Sequence, residues 1–498
     1  MTLSKGLKFG PLEIVVFIAG AAVMILELIG SRILAPYLGT SIYVWASLIG
    51  IILGALSLGY YLGGYFSQKN PSLLFLTEVF FISGLAILTV ALFKDTFLPY
   101  ILLLGVKFGS IIAVLALFAL PSALLGMISP YAVRLKVSDV QGSGNVAGNL
   151  YALSTIGSIF GTFLAGFYLI PAFGSTQILF GLSLILVLTA MLGAKKSLKI
   201  IFILLIALNW FFGRPPAPGL IFEADSAYNH IQVKDLTLKD GGEKLRFLFL
   251  GKEAHSVIYQ NSNRLYSVYQ RLYLLDNLFK PEIKKALTLG GGAYIAPLDF
   301  LRRYPLAEMT VVEIDPKITQ TAKTYFNLKD DSRLKISHED GRIFLNNNSE
   351  KFDVIYGDAF ASYYSIPFPL ATKEAAARIY QSLTPDGILV LNVINSLSGK
   401  KSLLFQAEYK TLKEYFPQIY VFPAYYYDGK NTDKVQNLIL IATKNPRRLN
   451  KDNLLKNADA SQKELLGHFW EEEIKLAPET KILIDDFAPV DYYISKLL

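Results

Sequence analysis

Six apolar runs in the first two hundred residues, each close to the length of a bilayer-spanning helix, constrain this chain more than any other feature. A hydrocarbon core is crossed by ~20 apolar residues in helical form. Candidate helices lie at 11 to 34, 42 to 66, 72 to 93, 107 to 129, 146 to 170 and 174 to 193, while 97 to 106 and 200 to 213 are ambiguous. Gly50 and Gly54, Gly59 and Gly63, and Gly157 and Gly161 have small-xxx-small spacing. That spacing lets helices approach closely where no hydrophobic effect drives them together. Polar turns and charges take over after Arg214-Pro215-Pro216-Ala217-Pro218-Gly219, a Pro-rich boundary. The pattern predicts a polytopic transmembrane domain of six to eight helices over 1–213, a linker over 214–220, a small β-rich cap over 221–284 and a nucleoside-binding domain over 285–498.

Charge narrows the partners. The net charge is +8, but the lysines are scattered and form no basic stripe interleaved with aromatics, so a lipid bilayer with anionic headgroups is expected and nucleic acid is not. With no cysteine, disulfides, thiolate metal sites and cysteine nucleophiles are excluded, and four scattered histidines give no reason to expect a metal. Lys5, Lys8, Lys69, Arg134, Lys136, Lys195, Lys196 and Lys199 fall on one side of a six-helix count, against Arg32, Lys94 and Lys107 on the other. By the positive-inside rule the chain is a multi-pass cell-membrane protein with its N-terminus in the cytoplasm. A cytoplasmic soluble domain then needs an even number of spans, with 200 to 213 interfacial or re-entrant, or an extra span near 97 to 106.

In the soluble half, strand-like runs at 230–234 and 245–250 flank the turn Asp240-Gly241-Gly242. Strands and helices then alternate as in a doubly wound α/β domain: strands at 286–289, 310–314, 334–338, 353–357 and 388–393, with helices from about 294, at Pro316, near 342 and at 372–383. Runs at 418–426 and 435–443 predict a closing antiparallel hairpin. Ligands of open α/β sheets bind beyond the carboxyl ends of the strands. There lie Gly290, Gly291 and Gly292 after the first strand, Glu313 after the second, Asp340 after the third and Asp358 after the fourth. Glycines admit backbone N–H groups to a ligand, and Glu313, 21 residues beyond Gly292, is placed to accept both ribose hydroxyls. Any one of these acids could instead cap a following helix.

Together these residues resemble the polyamine aminopropyltransferase (spermidine synthase) family, and more closely its membrane-fused bacterial branch. The resemblance extends to Ser31-Arg32-Ile33-Leu34-Ala35-Pro36-Tyr37, Leu58-Gly59-Tyr60-Tyr61-Leu62-Gly63-Gly64, Gly148-Asn149-Leu150-Tyr151-Ala152 and Asp358-Ala359-Phe360. It implies a methyltransferase-like doubly wound fold, in which Glu313 binds the ribose of decarboxylated S-adenosylmethionine and Asp340 with Gly341 meets the adenine amino group. Asp358 would be the catalytic base, Tyr269 and Gln270 would help orient a small amine such as putrescine, and His255 would stand near the transferred group. A homodimer is compatible with this reading.

Three departures from the family pattern bear on the substrates. Ala293-Tyr294 replaces an Asp-Gly after the glycines, Ala361 replaces a second acid after Asp358, and Arg271 replaces an acid after the Tyr-Gln pair. Without an acid at 293, nothing repels the carboxylate of intact S-adenosylmethionine. Methyl transfer to a membrane-associated acceptor is therefore the alternative activity, with Phe360, Tyr363 and Tyr364 as aromatic contacts. Asp485 and Asp486 could supply replacement carboxylates.

Overall fold

A computed structural model describes residues 10–68, 71–191, 218–238, 242–262, 264–359, 367–425 and 431–496. The stretch 200 to 213, the residues Phe360 to Tyr364, and the turns at Asp240-Gly241 and Asp428-Gly429 lie outside them. The chain divides into two compact units, one of residues 1–217 with 225–227 and the other of residues 218–224 with 228–498.

Among the described residues of the first unit, four helical runs are long and apolar enough to cross a membrane: Pro11–Leu38, Ile42–Phe66, Leu73–Lys136 and Ser143–Ala172. The expected spans at 72–93 and 107–129 both fall within the helical run Leu73–Lys136, which is broken between Ile101 and Gly105, where Gly105 takes φ 67°. Residues 97 to 106 form no separate span, because the helix begun at Leu73 carries on to Ile101. The last candidate becomes Ser175–Ala190, which is 16 residues long.

Glycine sets the closest helix contacts. A Cβ on Gly157 or Gly161 would overlap the carbonyl oxygens of Phe17 and Ala21, and one on Gly59 or Gly63 those of Ala123 and Met127. Partner numbers rise together in both pairs, so Pro11–Leu38 runs parallel to Ser143–Leu164, and Ile42–Phe66 parallel to the segment through Met127. Ser158 Oγ adds a hydrogen bond to the Gly20 carbonyl at 3.2 Å. Gly50 and Gly54, which share the same spacing, have nothing within 4 Å of an added Cβ.

The second unit opens with β1 (Leu220–Asp225), β2 (His230–Thr237), β3 (Lys244–Leu250) and β4 (Glu253–Tyr259), a four-stranded sheet in chain order. Next comes a seven-stranded sheet of β5 (Lys285–Leu289), β6 (Glu308–Val312), β7 (Leu334–Ser337), β8 (Phe352–Gly357), β9 (Leu383–Asn395), β10 (Gln418–Pro423) and β11 (Gln436–Thr443). Its order is β10-β11-β9-β8-β5-β6-β7, with β5 to β9 parallel and the β10–β11 hairpin antiparallel. Successive residues feed opposite faces: Val354, Tyr356 and Val390 enter one core, Leu287, Leu289, Ile355 and Leu389 the other. A parallel sheet covered on both faces needs such apolar runs.

Two features differ from expectation. The strand expected at 388–393 already begins at Leu383 and bulges over Pro385-Asp386-Gly387, where Phe352 pairs with Leu383 and Val354 already with Ile388. A helix at Leu403–Leu412 packs under the sheet where none was foreseen.

Candidate functional site

The site is built where β5 and β8 leave the sheet side by side. Gly290 N–H donates to the Val312 carbonyl at 2.9 Å, and Asp358 N–H to the Leu289 carbonyl at 3.0 Å. Gly290 has φ 94°, and a Cβ there would lie 2.5 Å from the Asp358 carbonyl oxygen, so both conformation and space require glycine. The turn is braced from β4, since Ala293 N–H donates to Ser256 Oγ at 3.1 Å.

Glu313 follows β6 and is buried. Its Oε2 accepts the Gly291 N–H and its Oε1 the Asp315 N–H, each at 2.9 Å. Burial pushes this carboxyl above its ordinary range, and the backbone donors oppose that push. Each carboxylate oxygen has two lone-pair sites, so both amide bonds leave capacity for two hydroxyls.

Asp340 caps the helix Gly341–Asn347, with Oδ1 accepting from Arg342 N–H at 2.8 Å and Ile343 N–H at 3.0 Å. Both cap bonds fall on one oxygen, so capping and ligand contact are compatible. A Cβ on Gly341 would stand 3.5 Å from Leu370 and 3.7 Å from Leu289, which places that glycine over an apolar wall.

Asp358 is the best supported acid of the group. Asn392 on β9 donates from Nδ2 to its Oδ1 at 2.8 Å, and Asn437 on β11 donates to Asn392 Oδ1 at 3.0 Å. The Tyr273 hydroxyl flanks the same carboxylate, though without a well-formed hydrogen bond. Burial raises the pKa of Asp358, while Asn392 and Tyr273 oppose the rise. Tyr269 and Gln270 sit on the helix Val268–Leu272, just before Tyr273. The Tyr269 ring packs edge-on to Tyr273 at 5.9 Å, and Tyr273 lies 5.4 Å from Tyr356. Gln270 is buried, and its Oε1 faces no hydrogen-bond partner among the described residues. Behind them Asp276 is fully buried, held by Arg303 Nη1 at 2.9 Å to both oxygens and by the hydroxyls of Tyr304 and Tyr356. A buried ion pair thus supports the tyrosine on which Tyr273 rests.

The structure therefore brings Gly290, Gly291, Gly292, Glu313, Asp340, Gly341 and Asp358 to one edge of the sheet, with Tyr269 and Gln270 reaching it through Tyr273. His255 is the extra residue of a β-bulge, because Leu248 pairs with Ser256 and Phe249 with Ala254. Its neighbour Ser256 is the residue bonded to the turn. Asp485 is committed elsewhere, accepting from Arg342 Nη2 and Thr372 Oγ1 at 2.6 Å each, so it ties down the helix after Asp340 rather than supplying a spare carboxylate. Tyr273, Ser256, Asn392 and Asn437 were not foreseen. Asn392 had a signal, being the lone polar residue in Ile388-Leu389-Val390-Leu391-Asn392-Val393.

The arrangement can hold a vicinal diol at Glu313 and accept a proton at Asp358. Among known families, the spermine/spermidine synthase domain matches residues 270–438. A polyamine aminopropyltransferase from Vibrio vulnificus is 30% identical over 177 residues, and a probable polyamine aminopropyl transferase from Bifidobacterium longum 29% over 198. These matches cover 34% and 40% of this chain, which spans only 57% and 42% of those two proteins. Polyamine aminopropyltransferase 2 from Aquifex aeolicus is 24% identical over 433 residues, covering 81% of this chain and 82% of that protein. A match of that extent reaches into the apolar half. Among solved structures, a probable spermidine synthase from Corynebacterium glutamicum is similar with a TM-score of 0.41 and 19% identity, over 50% of this chain and 86% of that one.

Proposed function

Since the chain belongs to the polyamine aminopropyltransferase (spermidine synthase) family, we propose that it transfers an aminopropyl group from decarboxylated S-adenosylmethionine to putrescine or a similar small amine. The observation that carries this reading is the Asp358 carboxylate, held by Asn392 and flanked by Tyr273 beside the Glu313 turn. In the reaction the amine lone pair forms a bond to the carbon next to the sulfonium. The C–S bond breaks with its electron pair going to sulfur, methylthioadenosine leaves as a neutral thioether, and the proton of the attacking nitrogen passes to Asp358. Such a displacement depends on in-line positioning more than on electrophilic help. Glu313 would fix the ribose, Asp340 with Gly341 the base, and Tyr269 with Gln270 the incoming amine. Burial that raises the pKa of Asp358 brings the base nearer the working pH. Among the described residues, four helices long and apolar enough to span support anchoring in the cell membrane; the positive-inside rule would put the catalytic unit on the cytoplasmic side.

The test is release of methylthioadenosine that depends on added putrescine or another amine. Asp358→Asn should lower it by ~10² to 10⁴-fold, and no release with any amine would overturn the reading. Buried Ala293 favours a second one, since its side chain brings no acid to the position after the glycines. An enzyme that accepts intact S-adenosylmethionine and methylates a membrane-associated acceptor would release S-adenosylhomocysteine instead.

A further inference from the structure

Beneath Gly357 and Ala359 lies a cleft enclosing about 580 Å³ of empty space, part of it open to solvent. Side chains alternate between the two faces of a sheet. Ala359, Leu289 and Leu389 pack into one core, whereas Tyr273, which flanks the Asp358 carboxylate, belongs to the other, so the cleft lies on the opposite face from that carboxylate. Glu313, Asp340 and Gly341 take no part in its lining. The walls are aliphatic, from Leu289, Leu370, Ile379, Leu389, Leu391 and Leu412, with no aromatic ring among the described residues. Two lining side chains can form hydrogen bonds. Thr372 is taken up by Ala375, Arg342 and Asp485. The other, Glu408, is 4% exposed, and its Oε2 has no hydrogen-bond partner among the described residues.

Glu408 shares the helix Leu403–Leu412 with two other buried polar side chains, Gln406 and Thr411. Gln406 Oε1 accepts from Ala477 N–H at 2.6 Å and Thr480 Oγ1 at 3.1 Å, and Thr411 Oγ1 accepts from Leu483 N–H at 2.9 Å, so both hold the C-terminal segment. Glu408 holds nothing among the described residues, and an unpaired buried carboxyl costs stability. Burial pushes its pKa up to about 8, so at neutral pH it is an uncharged acid with an O–H donor and a carbonyl acceptor. A ligand here must match aliphatic walls and that two-way group. An ammonium would give up water around three N–H donors to meet one carboxyl, and a carboxylate would find no cation among the described lining residues. We propose that the cleft is a second ligand site, taking a short uncharged aliphatic molecule that ends in a primary amide or an alcohol, with that head group paired to the Glu408 carboxyl. An amide donates N–H to the carbonyl of the acid and accepts its O–H. An apolar cavity of ~150 Å³ already holds a benzene-sized molecule, so a six-carbon chain has room here. This site goes beyond the proposed reaction and does not depend on it.

The experiment uses the full chain in detergent with hexanamide, hexanol, hexylammonium and hexanoate as probes. Dicyclohexylcarbodiimide, an apolar reagent that adds to protonated carboxyls, should label Glu408, read by peptide mass. Hexanamide or hexanol should block that labelling at ~10-fold lower concentration than hexylammonium or hexanoate. Thermal melting gives a second readout. Hexanamide should raise the Tm of wild type and of Glu408→Gln, which keeps a donor and an acceptor, and its apparent affinity should fall ~10-fold in Glu408→Leu. Glu313→Ala should leave hexanamide binding unaltered, whereas loss of binding in that variant would move the ligand to the nucleoside edge and overturn the inference. A cleft that holds only water would show no effect of millimolar hexanamide on labelling or melting, and that result also overturns it. So does an equal response in wild type and Glu408→Leu, and hexylammonium binding more tightly than hexanamide would overturn the uncharged class of ligand.

Discussion

Both units contain places where backbone stands against backbone with no room for a side chain, but glycine serves different ends in the two. At Gly157 and Gly161 the missing Cβ makes space for a neighbouring helix, with both glycines in regular helical conformation. At Gly290 it makes space for the Asp358 carbonyl, and the glycine also takes a positive φ that brings the turn's amides to Glu313. In the apolar unit close approach sets the helix-to-helix contacts, the kind of packing that serves where no hydrophobic effect drives helices together. In the α/β unit the cores on both faces define the fold, and close approach is left to shape the space for a ligand.

The contrast is broken most severely by Gly161→Leu, whose side chain would meet the Ala21 backbone. More than about 3 kcal/mol should be lost, read as failure to recover monodisperse protein in detergent; normal yield and melting would mean that this helix contact is dispensable. Gly290→Ala comes next and should cost binding as well as stability. A ~100-fold loss of methylthioadenosine affinity together with a lower melting temperature is expected, and unaltered affinity would remove the turn from the site.

Asn392→Leu should have a smaller and more diagnostic effect. Its N–H stabilises the charged form of Asp358, so removing it raises the Asp358 pKa further. A base works deprotonated, and the rising limb of the pH–rate profile should therefore move to higher pH, with kcat lower by ~10-fold at neutrality. A lower kcat without that displacement would indicate misplacement of the carboxylate instead. Gly54→Ala should do least, with a stability change within about 0.5 kcal/mol, because no described residue lies within 4 Å of its added Cβ. A large loss there would point to a neighbour that the described residues do not include.

Much of this was legible in the sequence, for physical reasons. The parallel strands announced themselves because strands buried on both faces must be continuously apolar. The positions of Glu313 and Asp358 were readable because an acid directly after such a strand stands at the carboxyl edge of the sheet. Gly50 and Gly54 meet no neighbour among the described residues, since spacing along a helix says which face a glycine occupies but not whether another helix lies against it. The helix Leu403–Leu412 was missed because Gln406, Glu408 and Thr411 interrupt its apolar pattern yet are all buried. Tyr273 was beyond sequence reasoning, because its approach to Asp358 depends on tertiary packing over Tyr356.

The link from Asp485 to Arg342 and Thr372 also orders events in time. The helix that begins at Asp340 receives this anchor from a residue 143 positions later than Arg342. During synthesis the apolar half has left the ribosome well before that anchor exists, so the edge of the sheet that includes Asp340 is completed last. A premature stop upstream of Asp485 would leave the helix after Asp340 without this anchor while the apolar half was complete.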